Sequence, residues 1–266
     1  MVNALRASLE AGPQLGLCVM YPAPGIIERI GPDWDWLWID GQHGELGYDE
    51  ILACVRAGDL VRRPAVVRVP GHDSGQIGKA LDTATAGIMV PMVDSAEQAR
   101  RIVEAAKFPP LGKRSYGGRR PVDLHGRGYA NRDRRQPVLV CQIETPEGLA
   151  NVEAIAAVDG VDVLFFGPDD MALRAGMPMD VPRPEGCFDE AQRKVAQAAR
   201  ANGKLAGGVF VAPEALRFAI EAGYRLIVAA GDVFFLADGS SKASSALRNV
   251  REELGFKPAA GQDRLY

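Results

Sequence analysis

Long apolar runs are absent from this chain. Nowhere do about 18 uncharged apolar residues follow one another, so no membrane span is expected. The opening stretch, MVNALRASLEAGPQ, has no apolar signal core and reads as cytoplasmic. Cysteine is sparse: Cys18, Cys54, Cys141 and Cys187 are scattered, with no CxxC pair, which argues against a thiolate metal site or a redox motif. The 3 histidines are too few and too dispersed for a His-rich zinc centre. No large excess of one charge exists either; a formal charge of -3 and a pI near 5.7 give no reason to expect nucleic acid. No GxGxxG follows the first apolar run, which weakens a dinucleotide-binding reading. The lysines, Lys79, Lys107, Lys113, Lys194, Lys204, Lys242 and Lys257, all avoid the upper parts of the expected strands. A Schiff-base mechanism needs a buried lysine there.

What is present is an ordinary globular composition, 47% apolar and 24% charged. Short apolar runs fall at 15–20, 36–40, 65–69, 87–91, 138–143, 162–166, 205–210 and 225–229, and each predicts a strand. Helical patterns lie between them, near 24–30, 48–58, 74–84, 95–107, 146–157, 187–202 and 213–222. Asp94 or Ser95 caps one of these, and Thr145-Pro146-Glu147 opens another. Eight strands alternating with helices predict a parallel sheet with right-handed crossovers. A length of 266 residues without an evident linker favours one α/β domain over 1–266, a (β/α)8 TIM barrel, over an open doubly wound sheet. A last amphipathic helix is predicted over 240–254, preceded by VFFLA (233–237). Left exposed, that apolar patch would be unusual, so it is expected to be buried in this chain or docked on another.

Barrels of this type carry their active sites at the C-terminal ends of the strands. Asp40 ends the second strand and is followed by Gln42 and His43. Arg68 lies at the end of the third. In VLVCQIE, residues 138–144, the face shared by Val138 and Val140 continues to Gln142 and Glu144. The sixth strand leads into Asp169 and Asp170. Glu144 and Asp170 suit a hard divalent cation held by oxygen. Arg68 needs an anionic partner, either a protein carboxylate or a substrate oxyanion. Asp40, three residues from His43, is positioned to orient a general base. Each has a plainer reading: Glu144 as an ion-pair partner of Arg68, Asp170 as a helix cap, His43 as a structural loop residue. Asp82 precedes the fourth strand, at the bottom of the barrel, and serves this rim only from another subunit. The 109–137 insertion is long for a compact domain. It carries Arg114, Arg119, Arg120, Arg127, Arg132, Arg134 and Arg135, which are read either as a solvated or subunit-contact surface or, at Arg114 and its neighbours, as a lure for an anionic substrate.

Six blocks, WLWIDGQHGE (36–45), VVRVPG (66–71), IMVPMVDSAEQAR (88–100), FPPLGKRS (108–115), QIETPEGLANVEAIAAVDGVDVLFFGPDDM (142–171) and GGVF (207–210), occur in the order seen in a known family. The chain resembles the HpcH/HpaI aldolases, metal-dependent class II pyruvate aldolases of the 4-hydroxy-2-oxoheptanedioate and 2-dehydro-3-deoxyglucarate type. That resemblance implies a barrel with a C-terminal helix swapped between subunits of a hexamer, a trimer of dimers. It implies Glu144 and Asp170 as ligands of Mg2+, Mn2+ or Co2+, Arg68 on the keto oxygen of the 2-oxo acid, and His43 with Asp40 handling the proton. Gln142 would lie beside the metal, and the backbone near Gly118 and Asp169 would hold the 2-oxo acid carboxylate. The partners implied are a 2-oxo acid and an aldehyde. The sequence departs from the family at Gln42, where many relatives have Glu, and over 115–127. The alternative reading is a citrate-synthase-like condensing enzyme or an oxaloacetate decarboxylase on the same fold.

Overall fold

The structure, a computed structural model, describes residues 2–131 and 136–256. Eight parallel strands close into a barrel in sequence order. They are β1 (Gln14–Val19), β2 (Trp36–Asp40), β3 (Ala65–Arg68), β4 (Gly87–Val90), β5 (Val138–Ile143), β6 (Val163–Phe166), β7 (Leu205–Val209) and β8 (Tyr224–Gly231). This is the predicted (β/α)8 TIM barrel, with all eight strands where the apolar runs placed them. Most of these strands are buried on both faces, as a parallel barrel requires, so their sequences run apolar rather than alternating.

Outward-facing residues such as Leu37, Ile39, Leu139 and Cys141 pack under the helix layer. Inward-facing Trp36, Trp38, Val66, Met89, Val138, Val140, Val163 and Phe165 fill the interior. Trp36 fits only because β1 has a glycine opposite: a Cβ on Gly16 would lie 2.3 Å from the indole.

An N-terminal helix, α1 (Val2–Ala11), was not expected from the sequence. Leu5 and Leu9, one turn apart, join the interior cluster and stopper the bottom of the barrel. Below the strands, Asp162 accepts from Arg6 of α1 at 2.9 Å, from Lys107 at 2.7 Å and from the Leu139 N–H at 2.8 Å. Burial would raise the Asp162 pKa, but the cations Lys107 and Arg6 outweigh it and hold the carboxyl below its ordinary value.

The outer helices lie near their predicted positions, apart from two that the sequence did not disclose, at Arg119–His125 and Pro168–Arg174. They are α2 (Pro24–Ile30), α3 (Tyr48–Leu60), α4 (Ser74–Leu81), α5 (Ala96–Ala106), α6 (Arg119–His125), α7 (Pro146–Ala150), α8 (Val152–Ala156), α9 (Pro168–Arg174), α10 (Asp189–Ala201), α11 (Pro213–Ala222) and α12 (Asp232–Glu253). Ser95 caps α5 and Thr145 caps α7, each through a hydrogen bond to the backbone N–H three residues on. The segment expected at 146–157 is broken at Asn151 into α7 and α8.

VFFLA does not precede a separate helix. It is the first part of α12, which is continuous over 22 residues. Asp232 is buried and accepts from the N–H groups of Met20 and Tyr21, both at 3.1 Å, tying the helix to the loop after β1. Beyond that anchor, Phe234, Leu247 and Leu254 remain exposed. Among the described residues, no helix is long and apolar enough to cross a membrane.

Candidate active site

The polar ends of β2, β3 and β5 converge at the C-terminal mouth of the barrel. In the parallel ladder Asp40 and Arg68 are direct register partners, and both face inward. Arg68 donates from Nε to Asp40 Oδ1 at 2.8 Å and from Nη2 to Oδ2 at 2.6 Å, a two-pronged pair buried from solvent. Its guanidinium lies over the Trp38 ring, 4.5 Å from the centroid. Burial would raise the Asp40 pKa, but Arg68 and the backbone N–H groups of Gln42 and His43 hold the carboxyl below its usual range. Arg68 therefore has its anionic partner in Asp40 and not in Glu144.

The third guanidinium nitrogen reaches Gln142 Oε1 at 3.4 Å. Gln142 in turn donates to Glu144 Oε2 at 2.5 Å. The other carboxylate oxygen of Glu144 accepts from the Met92 N–H at 2.8 Å. Met92 has φ of 51°, an uncommon backbone state for a residue other than glycine. Glu144 is 2% exposed, and burial together with the nearby charge of Asp170 raises its pKa to about 7. Gly167 makes this close packing possible: a Cβ there would lie 2.6 Å from Glu144 Oε2. Asp170 stands in the first turn of α9, beside this carboxylate.

The donors gathered here are the carboxylates of Glu144 and Asp170 and the amide of Gln142, whose oxygen accepts from Arg68 and whose nitrogen donates to Glu144. Among the described residues, Glu144 has no cationic side chain in salt-bridge contact, and Asp170 has only Arg174 at 4.0 Å. The arrangement fits a hard cation that neutralises both acids. Among the described residues no group of three or more His, Cys, Asp or Glu side chains is placed to hold a metal ion.

Other predicted residues fall elsewhere. Asp40 bonds the His43 backbone N–H at 3.3 Å, while the His43 side chain is exposed. The expected carboxylate–imidazole pair is thus replaced by an Asp40–Arg68 pair, because an inward-facing residue at the end of β2 meets its β3 neighbour before its own loop. The Asp169 side chain accepts from Arg183 at 2.6 Å and is largely exposed. Gly118 lies against Asp82, which Arg114 also contacts at 3.3 Å. Asp82 ends α4 ahead of β4, so this trio sits at the opposite end of the barrel from Glu144. In the insertion, Arg120 is engaged by Asp59 and the Thr83 carbonyl, and Arg119 by Asp123 within α6. Arg132, Arg134 and Arg135 lie outside the described residues.

Three contributors to the site escaped the sequence reading. Met92 acts through its backbone, which no side-chain pattern discloses. Trp38 reads as packing, and only the β2–β3 register puts it under Arg68. Arg174 lies one turn beyond Asp170, at the i, i+4 spacing that could have revealed it.

Comparison with known proteins bears on this geometry. The family model described as HpcH/HpaI aldolase/citrate lyase matches residues 24–237. The chain is 38% identical over 257 residues to a 4-hydroxy-2-oxovalerate aldolase of Novosphingobium aromaticivorans, covering 95% of this chain and 96% of that one. It is 34% identical to a hydroxypyruvate/pyruvate aldolase of Delftia acidovorans, covering 99% of this chain and 98% of the other. Among solved structures, an HpcH/HpaI aldolase/citrate lyase family protein of Burkholderia cenocepacia superposes with a TM-score of 0.83 at 30% identity, over 92% of this chain and 99% of that one. Both the sequence and the barrel fold therefore place this carbon–carbon lyase in the HpcH/HpaI aldolase/citrate lyase family.

Proposed function

We propose that the protein is a divalent-metal-dependent aldolase. It reversibly cleaves a 4-hydroxy-2-oxo acid into pyruvate, or a close analogue such as hydroxypyruvate, and an aldehyde. The observation that carries this reading is the buried Glu144 carboxylate, pushed up to about 7 by burial and by Asp170, with a rigidly held arginine across the cleft. Aldolase relatives of similar length support it.

Glu144 and Asp170 would hold Mg2+, Mn2+ or Co2+. The bound cation would act as a Lewis acid where negative charge develops on the 2-oxo acid. Asp40 fixes the Arg68 guanidinium, so the positive charge is in place before the reaction and needs no rearrangement during it. Gln142 holds Glu144 from one side and Met92 from the other, which fixes the direction of its carboxylate. His43, exposed on the loop after β2, would take the 4-hydroxyl proton in cleavage and return it in synthesis. The backbone at Asp169 would hold the 2-oxo acid carboxylate.

In this reading 1–266 is one domain. Its α12 packs on a second copy within a hexamer, a trimer of dimers. The apolar side chains that α12 leaves exposed support that assembly. The deciding experiment is exchange of pyruvate methyl protons for deuterium, with each divalent metal and with EDTA, followed by a panel of aldehydes. Metal-dependent exchange with aldol formation is the expected result. Exchange that EDTA leaves untouched would exclude the metal, and oxaloacetate turnover without any aldehyde would point to a condensing enzyme or decarboxylase instead.

A further inference from the structure

We propose that Trp38 is a positioning residue: it fixes the pitch of the Arg68 guanidinium and so the place of Nη1, the one nitrogen of that group turned toward Gln142. The consequence for turnover rests on the aldolase reading above; the geometry does not. Arg68 gives Nε and Nη2 to the two oxygens of Asp40, at 2.8 and 2.6 Å. Both bonds lie along one edge of the planar group. Such a fork holds that edge and leaves the plane free to swing about it, as a door swings on two hinges. Nη1 lies opposite the hinge line and sweeps furthest. Its own contact, to Gln142 Oε1, is 3.4 Å long and too weak to stop the swing.

What stops it is the indole. Trp38 precedes Asp40 by two residues on β2, so both side chains point inward, with Trp38 one step deeper in the barrel. The guanidinium carbon stands 4.5 Å from the ring centroid, which closes one face of the group. The ring is itself held. Phe165 of β6 meets it edge to face, with centroids 5.6 Å apart at 72°, and Cys18 and Val66 are its register partners on β1 and β3. A further observation separates this from plain packing. Among the described residues, the buried indole Nε1 has no hydrogen-bond partner. An orphaned donor is a cost that phenylalanine or leucine at the same place would not carry. What indole alone supplies there is the most electron-rich aromatic face toward a cation.

The test compares wild type, Trp38→Phe and Trp38→Leu, each with Arg68 intact and in the Arg68→Lys background. Pyruvate deuterium exchange gives kcat and KM, Mn2+ affinity is measured on the same samples, and the metal-free proteins are crystallised. In Trp38→Leu the Asp40 fork should persist while Nη1 is displaced or spread over several positions. Its kcat should fall by at least about tenfold, given that a misplacement of about 1 Å costs up to about 100-fold. Trp38→Phe keeps a weaker ring face, and its loss should be about threefold; it carries the comparison alone if Trp38→Leu does not fold. Mn2+ affinity should stay within about twofold in both. In the Arg68→Lys background there is no fork to steady, so either substitution at Trp38 should change the residual rate by less than about twofold. An equal loss in both backgrounds, an unchanged Nη1 position, or a normal kcat with Nη1 displaced would overturn the assignment and leave Trp38 as packing. If the wild type exchanges nothing with any divalent metal, the aldolase reading fails, and the crystal structures alone then decide whether Trp38 sets the place of Nη1.

Discussion

Asp40 and Arg68 are joined at both prongs of the guanidinium although 28 residues separate them, and they do so as register partners of adjacent strands. The pair is buried, so removing one member leaves the other without compensation. Asp40→Asn should destabilise the protein by about 3–5 kcal/mol, as read by urea unfolding. Arg68→Lys keeps the charge but loses the fork. It should fold and yet lose most of its turnover, since a lysine cannot hold both Asp40 oxygens and face the cleft. An Arg68→Lys protein with normal kcat would remove the fixed guanidinium from the mechanism.

Glu144 is costly to the unliganded protein. Its carboxylate is buried next to Asp170, and like charges in a dry cleft repel. Glu144→Gln keeps the shape and deletes the charge. The metal-free variant should therefore melt higher than metal-free wild type, by roughly 2–4 °C for each kcal/mol of relief. The same substitution should weaken Mn2+ binding by more than about 100-fold and abolish metal-dependent exchange. Calorimetry of both proteins, with and without Mn2+, reads the two effects separately. A variant that binds Mn2+ normally would contradict the ligand assignment.

Below the barrel, Asp162 titrates lower in the folded chain than in the unfolded one, because Lys107 and Arg6 outweigh burial. Acid therefore protonates the unfolded state first. The stabilisation is complete above the ordinary carboxylate range and is lost as pH falls through it and below. Asp162→Asn should cost about 3–5 kcal/mol at pH 7, since Lys107 becomes a buried unpaired cation. The gap between variant and wild type should narrow in acid. Unfolding curves across pH 3–7 measure it; a constant gap would exclude the linkage.

Much of this was legible before any coordinates. Eight apolar runs gave eight strands because both faces of a parallel barrel strand are buried, which leaves little alternation to misread. The inward face of β5 could be followed from Val138 to Gln142 and on to Glu144 by period alone. Partnership across strands was not legible, because register is set by packing and not by local sequence. Asp40 and His43 are close in the chain, yet the carboxylate turns to Arg68. α1 was missed because Leu5 and Leu9 acquire a purpose only once a barrel floor exists to receive them. α6 was hidden in an arginine-rich insertion whose charges find partners on distant segments, such as Asp59.

The exposed side of α12 makes the last claim about this chain. Phe234, Leu247 and Leu254 are 68%, 73% and 70% exposed, while Phe235 rests on Trp34 with ring centroids 6.0 Å apart. The helix is thus pinned to its own barrel at its start and presents apolar residues near that start, at Phe234 and Leu236, and again toward its end, at Leu247 and Val250. Other copies packed against the two ends of the helix would bury them. Leu247→Glu and Phe234→Glu would place an unpaired carboxylate in such an interface, and each should raise the dissociation constant by at least about 100-fold. Light scattering on a sizing column at several concentrations reads the mass directly. The circular dichroism of the dissociated variant should keep its helical signal, since Asp232 and the barrel do not depend on the contact. A wild-type protein that is monomeric at every concentration would mean that α12 carries its apolar face for some other purpose than assembly.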